Sequence, residues 1–297
     1  MAISEIQLAT WAKQGQTAQF TSTYDNIKTV LGHDNSPYSL KNFGIFLQGS
    51  YKNDTNIYGD SDLDIIINLK DIFYYDLSFL PDIDKKLFLS NLEKAEYSLT
   101  EFKDSVLIWL TKNYGNDVIR RSKAIMIRAN ANRRDADILV CAELRRYLRF
   151  KDWNDFSFEE GIRFLLPDQS YVDNFPSHHS KNCTSKHQMT NNWFKPTVRI
   201  YKNLRNKLIK DGKIKEGLAP SYFLEGLLYN VPIGIFGGSE QENFYSTLNW
   251  LVNADRSRFV CANEMYSLFD PKNPVMWRIE NCDQFLRATT EHWNSYK

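Results

Sequence analysis

The stretch from Asp62 to Lys70, DLDIIINLK, limits the fold more than any other part of the chain. Its β-branched, apolar run asks to be a strand buried on both faces. Yet the run opens with two carboxylates one residue apart. Residues two apart on a strand project to the same side, so Asp62 and Asp64 point together. Like charges that close repel and lift each other's pKa unless a cation sits between them. The strand is therefore expected to be interior along its length and open to a cation where it begins.

A second short run frames the first. FGIFLQGS, residues 43–50, reads as a strand running into a Gly-Ser turn. Gly49 permits a tight backbone and close approach of a ligand. Ser50 offers a hydroxyl and a backbone N–H to a phosphate, and N–H groups in a following turn add to an anion-binding concavity. Hard oxygen ligands such as Asp62 and Asp64 suit Mg²⁺, which takes one or two carboxylates together with substrate phosphates. A third carboxylate would complete a two-metal site. Asp137, at the head of the apolar run DILV, is the first candidate; Asp135, on the same side, is the second. Alone, a D-x-D or a Gly-Ser pair reads as an ordinary surface turn. The weight lies in the combination of apolar strand, Gly-Ser, carboxylate pair, apolar strand and distant aspartate. Asp54 and Asp60, between the two strands, read as solvated turn residues.

Around these motifs the periodicity gives an α/β (α+β) half followed by a mainly helical half. Residues 16–32 place Phe20, Tyr24, Ile27 and Leu31 at helical spacing. Residues 84–115 read as helical, KAIMIR (123–128) as a half-buried strand and DADILVCAEL (135–144) as another. Residues 156–192 read as long, polar and loop-like. Helices are expected over 193–212, 219–232 and 242–254. The expected division is a catalytic core over 1–155 and a helical nucleotide-binding domain over 156–297.

Formal net charge is +1, which argues against a protein that grips long nucleic acid by global charge. A basic cluster before Asp137, made of Arg120, Arg121, Lys123, Arg128, Arg133 and Arg134, reads as a solvated hairpin face, with a surface for nucleic acid or an activating partner as the sharper alternative. No apolar stretch has the length of a membrane span. MAISEIQLATWAKQ lacks the charged leader and apolar core of a signal peptide, and the four cysteines are scattered. A cytoplasmic, membrane-free protein with reduced thiols is expected.

The Gly-Ser pair followed by D-L-D in an apolar strand resembles the nucleotidyltransferase superfamily related to DNA polymerase β, and the wording LQGSYKNDTNIYGDSDLDIII, FKPTVRIYKNLRNKL and LAPSYFLEGLLYNVP supports a narrower match within it. More narrowly it is similar to the bacterial CD-NTases, relatives of cyclic GMP–AMP synthase and oligoadenylate synthase, and in residues 176–207 to the clade labelled E. The resemblance spans most of residues 40–235. It implies a polymerase-β-like core with a mixed β-sheet plus a helical C-terminal domain. It also implies that Asp62, Asp64 and Asp137 are catalytic and hold two Mg²⁺, with Mn²⁺ able to substitute. Ser50 would bind donor phosphate, Lys202 and Ser221 the triphosphate tail, and Tyr222 would stack on a base. From the residues alone, Lys202 reads as a snorkelling lysine, Ser221 as an N-cap and Tyr222 as core.

The implied activity joins two NTPs into a cyclic dinucleotide with release of pyrophosphate. The product would be a second messenger in anti-phage signalling, read by an effector that this chain does not bind. A monomer is expected, with no nucleic-acid activator. The alternatives are a linear polymerase or tailing enzyme, a small-molecule nucleotidyltransferase, and a catalytically silent nucleotide-binding protein. His178, His179, Cys183 and His187 raise the question of zinc, but the spacing lacks a paired-ligand signature. The polar segment around them, with Asn182, Lys186, Asn191 and Asn192, is the alternative base-reading element.

Overall fold

The computed structural model describes residues 3–15, 17–58, 62–271, 273 and 276–295; Asp60 lies outside them. The chain divides into two compact units, each assembled from separate segments. One takes 1–16, 49–60 and 177–297; the other takes 17–48 and 61–176.

The second unit is built on a sheet. Among the described residues it has seven strands: β1 (Phe43–Gln48), β2 (Asp62–Asp76), β3 (Val118–Arg120), β4 (Ile125–Ile127), β5 (Asp135–Asp152), β6 (Asp155–Leu165) and β7 (Tyr171–Asn174). β1, β2, β5, β4 and β3 are neighbours in that order, and the second half of β5 continues the sheet through β6 to β7. β2 and β5 are parallel, while the other pairs are antiparallel. The apolar run of β2 is as dry as its composition demands: Ile65, Ile66, Ile67 and Leu69 are fully buried. Ile66 shares a core with Leu139, Cys141, Ile162 and Phe164.

Two helices of this unit follow from local signals. α2 (Ala18–Leu31) buries Phe20, Ile27 and Leu31 and stops at Gly32. The helical reading of 84–115 resolves into α4 (Asp82–Ser90) and α5 (Leu99–Tyr114). The break has a plain cause. Ser98 accepts the Glu101 N–H while the Glu101 carboxylate accepts the Ser98 N–H, a capping box that fixes a new helix start.

The first unit is helical. Its central helix is α7 (Phe194–Lys210), against which α1 (Glu5–Ala12), α8 (Ser221–Tyr229) and α10 (Ile279–Ser295) pack, with α9 (Glu240–Asn253) lying on α1 and α10. Val198, Tyr201, Leu204 and Leu208 of α7 are fully buried in one large core. Two short elements matter for the site: α3 (Gly49–Lys52), a single turn, and α6 (Pro176–Met189).

The expected loop over 156–192 is thus two strands and a helix. β6 and β7 pair from Leu165↔Tyr171 to Ile162↔Asn174. The sheet therefore runs past the expected division at 155, and residue 155 itself opens β6. α6 carries a helical repeat that an apolar count misses, because its buried positions are His179, Cys183 and Lys186. All four cysteines are free and buried.

Candidate active site

The carboxylates meet in the sheet. In the parallel pairing of β2 with β5, Asp62 lies beside Asp135 and Asp64 beside Asp137. Paired residues on adjacent strands face the same way, so four carboxylates occupy one face at one end of the sheet. Behind them the same face continues into Ile66, Leu139 and Cys141, which are buried. Asp62 is exposed, while Asp64 and Asp137 are half-buried.

Asp137 and Asp135 are not equivalent. The Asp135 carboxylate accepts the Ala129 N–H at 2.6 Å and holds the hairpin that precedes β5. Asp137 faces Arg121, whose Nη1 lies 3.3 Å and 3.4 Å from its two oxygens. Burial pushes the Asp137 carboxyl above the usual carboxylate range. Arg121 pulls it down, and Asp62 and Asp135 push it further up. Four carboxylates on one face of the sheet, with one long guanidinium contact at their margin, match the hard oxygen donor set a divalent cation takes.

Arg121 comes from the cluster read as a solvated hairpin face. The cluster is split between tasks. Arg133 donates to Asp117 and lies over the Tyr114 ring, and Arg134 lies over Phe20. Arg120, Lys123 and Arg128 are exposed.

In the helical unit, Gly49 opens α3 with a φ of 70°, a conformation that favours glycine. Ser50 follows, half-buried. The Asn53 N–H donates to the Gly49 carbonyl at 3.1 Å and the Thr55 N–H to the Ser50 carbonyl at 2.9 Å. Ser221 is the first residue of α8, and its Oγ accepts from Arg205 Nη1 at 3.3 Å. Tyr222 stacks on His179, with ring centroids 4.5 Å apart, and its hydroxyl accepts from Asn263 at 3.0 Å. Burial pushes the Tyr222 phenol well above its ordinary pKa. Lys202 is wholly buried, and its Nζ donates to the Thr55 carbonyl at 2.9 Å.

Of the histidine-cysteine group, His179 and Cys183 come together, joined by Glu225 rather than by His178 or His187. Glu225 Oε2 accepts from His179 Nε2 at 2.5 Å and from Asn53 at 3.1 Å, and its Oε1 accepts the Thr55 hydroxyl. These bonds satisfy the buried Glu225 carboxylate, while the other ring nitrogen of His179, Nδ1, is buried without a hydrogen-bond partner, and the three potential ligand atoms lie within 4.8 Å of one another. Asn182 and Lys186 are also spent internally, donating to the Ala262 and Val231 carbonyls at 2.9 Å and 2.6 Å. Glu225 was the residue most open to discovery from sequence: it is the lone acid in the apolar run FLEGLLY.

Residues 181–294 match the family model of the cGAS/DncV-like nucleotidyltransferase C-terminal helical domain. Over its whole length the chain is 37% identical to the cyclic UMP-AMP synthase of Rhodothermus marinus, covering 99% of that protein. It is 34% identical to the cyclic nucleotide synthase CdnE01 of Staphylococcus haemolyticus, with both chains covered in full. The fold matches the solved R. marinus CdnE c-UMP-AMP synthase with Apcpp and Upnpp at a TM-score of 0.88, covering 99% of this chain and 97% of that one. It matches the Elizabethkingia meningoseptica CdnE cyclic dinucleotide synthase with GTP and Apcpp at 0.79 and 27% identity, covering 98% of each chain.

Proposed function

The chain belongs to the cGAS/DncV-like nucleotidyltransferases, among the CdnE-type cyclic nucleotide synthases, and from that premise we propose that it joins two nucleoside triphosphates into a cyclic dinucleotide. The observation that carries the reading is the register of Asp64 with Asp137 and of Asp62 with Asp135 on adjacent parallel strands.

In this reading Asp62, Asp64 and Asp137 hold two Mg²⁺, or Mn²⁺ in its place. Bound there, the ions supply neutralisation of phosphate charge and activation of the attacking hydroxyl. A carboxylate oxygen of Asp137 accepts the proton of that hydroxyl, a 3′- or 2′-OH. The hydroxyl oxygen bonds to the α-phosphorus of the second triphosphate, and pyrophosphate leaves. A second transfer of the same kind closes the ring and releases a second pyrophosphate. Gly49 and Ser50 take donor phosphate through the turn they open. Ser221 takes the triphosphate tail, Tyr222 presents its ring to a base, and Lys202 belongs to the same nucleotide-binding set.

The cyclic product is then a messenger read by a separate effector, in anti-phage signalling as the family resemblance implies, with the protein acting as a cytoplasmic monomer. Among the described residues no helix is long and apolar enough to cross a membrane.

The test is an incubation of the purified protein with all four NTPs and Mg²⁺ or Mn²⁺, followed by phosphatase and mass spectrometry. A phosphatase-resistant product with the mass of two nucleotides less two waters is expected, and omitting NTPs one at a time names its bases. A ladder of phosphatase-sensitive products would identify a linear polymerase instead.

A further inference from the structure

The residues that follow the Gly-Ser turn are held with unusual thoroughness. Asn53, Thr55 and Asn56 are polar, yet they are 4%, 0% and 0% exposed. Thr55 is fixed at every polar atom it has. Its N–H donates to the Ser50 carbonyl at 2.9 Å, its carbonyl accepts from Lys202 Nζ at 2.9 Å, and its hydroxyl donates to Glu225. Asn53 repeats the pattern one step earlier, with its N–H on the Gly49 carbonyl and its amide on Glu225. Between them Asp54, at a φ of 54°, has its carbonyl taken by Arg199 at 2.6 Å and its carboxylate by Lys195 at 2.9 Å.

This arrangement is costly if stability is its only purpose. Burying Glu225 and Lys202, 3% and 0% exposed, carries a desolvation penalty that apolar residues of similar volume would avoid. What such a network provides is one fixed geometry, because every member must be satisfied at once. Burial alone would push Glu225 up; the His179 and Thr55 hydrogen bonds and the Lys202 charge outweigh it and hold the carboxylate below its ordinary range. The fixed part is the backbone of Gly49 and Ser50, one hydrogen bond from Asn53 and Thr55.

We propose that Glu225 and Lys202 are positioning residues that act through Thr55 to hold the Ser50 turn in its phosphate-binding shape. The proposal rests on the reading that Ser50 takes donor phosphate. Lys202 supports the turn from behind through the Thr55 carbonyl.

A double-mutant cycle with Thr55→Val and Ser50→Ala tests this, read by affinity for a Mg²⁺-loaded non-hydrolysable NTP and by KM against kcat. Thr55→Val keeps the shape of the side chain and removes only the hydroxyl bonded to Glu225. It is expected to weaken nucleotide affinity and raise KM about tenfold with kcat changed less, about the size of one charged hydrogen bond. In the Ser50→Ala background, where only the backbone of the turn is left to bind phosphate, the same change should cost clearly less than in the wild type. Thr55→Ser, which retains the hydroxyl, should restore wild-type KM even where the valine variant proves less stable. If Ser50→Ala weakens binding but the two effects multiply, the positioning role is wrong while the phosphate reading stands. If Ser50→Ala alone leaves nucleotide affinity unchanged, the phosphate reading fails and takes the proposal with it.

Discussion

Single residues in this protein take their roles from what surrounds them more than from their type. Asp135 and Asp137 are one residue apart, head the same strand and face the same way. One is spent on a backbone N–H; the other is left facing a guanidinium. The sequence ranks Asp137 first as the head of the apolar run, but not for the reason the structure supplies, because the hairpin contact that engages Asp135 comes from Ala129, six residues earlier. His187 shows the same dependence. Its Nδ1 accepts the Lys195 N–H at 3.3 Å. Burial, helped by the charges of Lys195 and Arg199, brings its pKa from 6.5 down to about 4. The fold therefore holds a neutral ring, whereas the unfolded chain protonates near 6.5. The stability this gives is complete above pH 6.5 and is lost as pH falls toward 4. Between those limits the melting temperature of the wild type should drop more than that of His187→Asn. Parallel pH profiles for the two proteins would contradict this.

At the scale of elements, legibility followed apolar patterning. The strands at 43–48 and from Asp62 onward were plain in the sequence because each carries a short apolar run, and α2 with its stop at Gly32 because its buried Phe20, Ile27 and Leu31 recur at helical spacing. The helices α7, α8 and α9 were plain for the same reason. α6 was not, since its inward face is His179, Cys183 and Lys186. β6 was hidden by the acids and the glycine of FSFEEGIRFL. Gly161 is where that strand can be tested. A Cβ there would come within 2.7 Å of the Asn174 carbonyl oxygen on β7 and 2.9 Å of the Phe175 ring. Gly161→Ala should therefore destabilise the protein by about 1–3 kcal/mol, as overpacking does. A denaturant melt unchanged by the substitution would mean that 155–174 is the loop its composition suggests.

Across the whole molecule, the chain passes between its two units rather than completing one before the other. The segment 49–60 belongs with 177–297, and the strands on either side of it belong to the sheet. A division by composition looks for a single boundary and cannot register a short excursion of this kind. Its consequence is that DLDIIINLK and the Gly-Ser turn, neighbours in sequence, are held by different structural machinery. The carboxylates are set by strand register, and the turn is set by a buried polar network on α6, α7 and α8.

The central claim is that the aspartates on β2 and β5 are the floor of a metal-dependent nucleotidyl transfer site. The double variant Asp62→Asn, Asp64→Asn tests it most directly, with pyrophosphate release and thermal melting measured side by side on the metal-free and Mg²⁺-loaded protein. Removing two repelling charges should leave the metal-free melting temperature equal to or above that of the wild type. Turnover should fall by more than about a hundredfold, beyond the loss typical of a group that merely supports a metal ligand. A folded double variant that releases pyrophosphate at the wild-type rate would contradict the account.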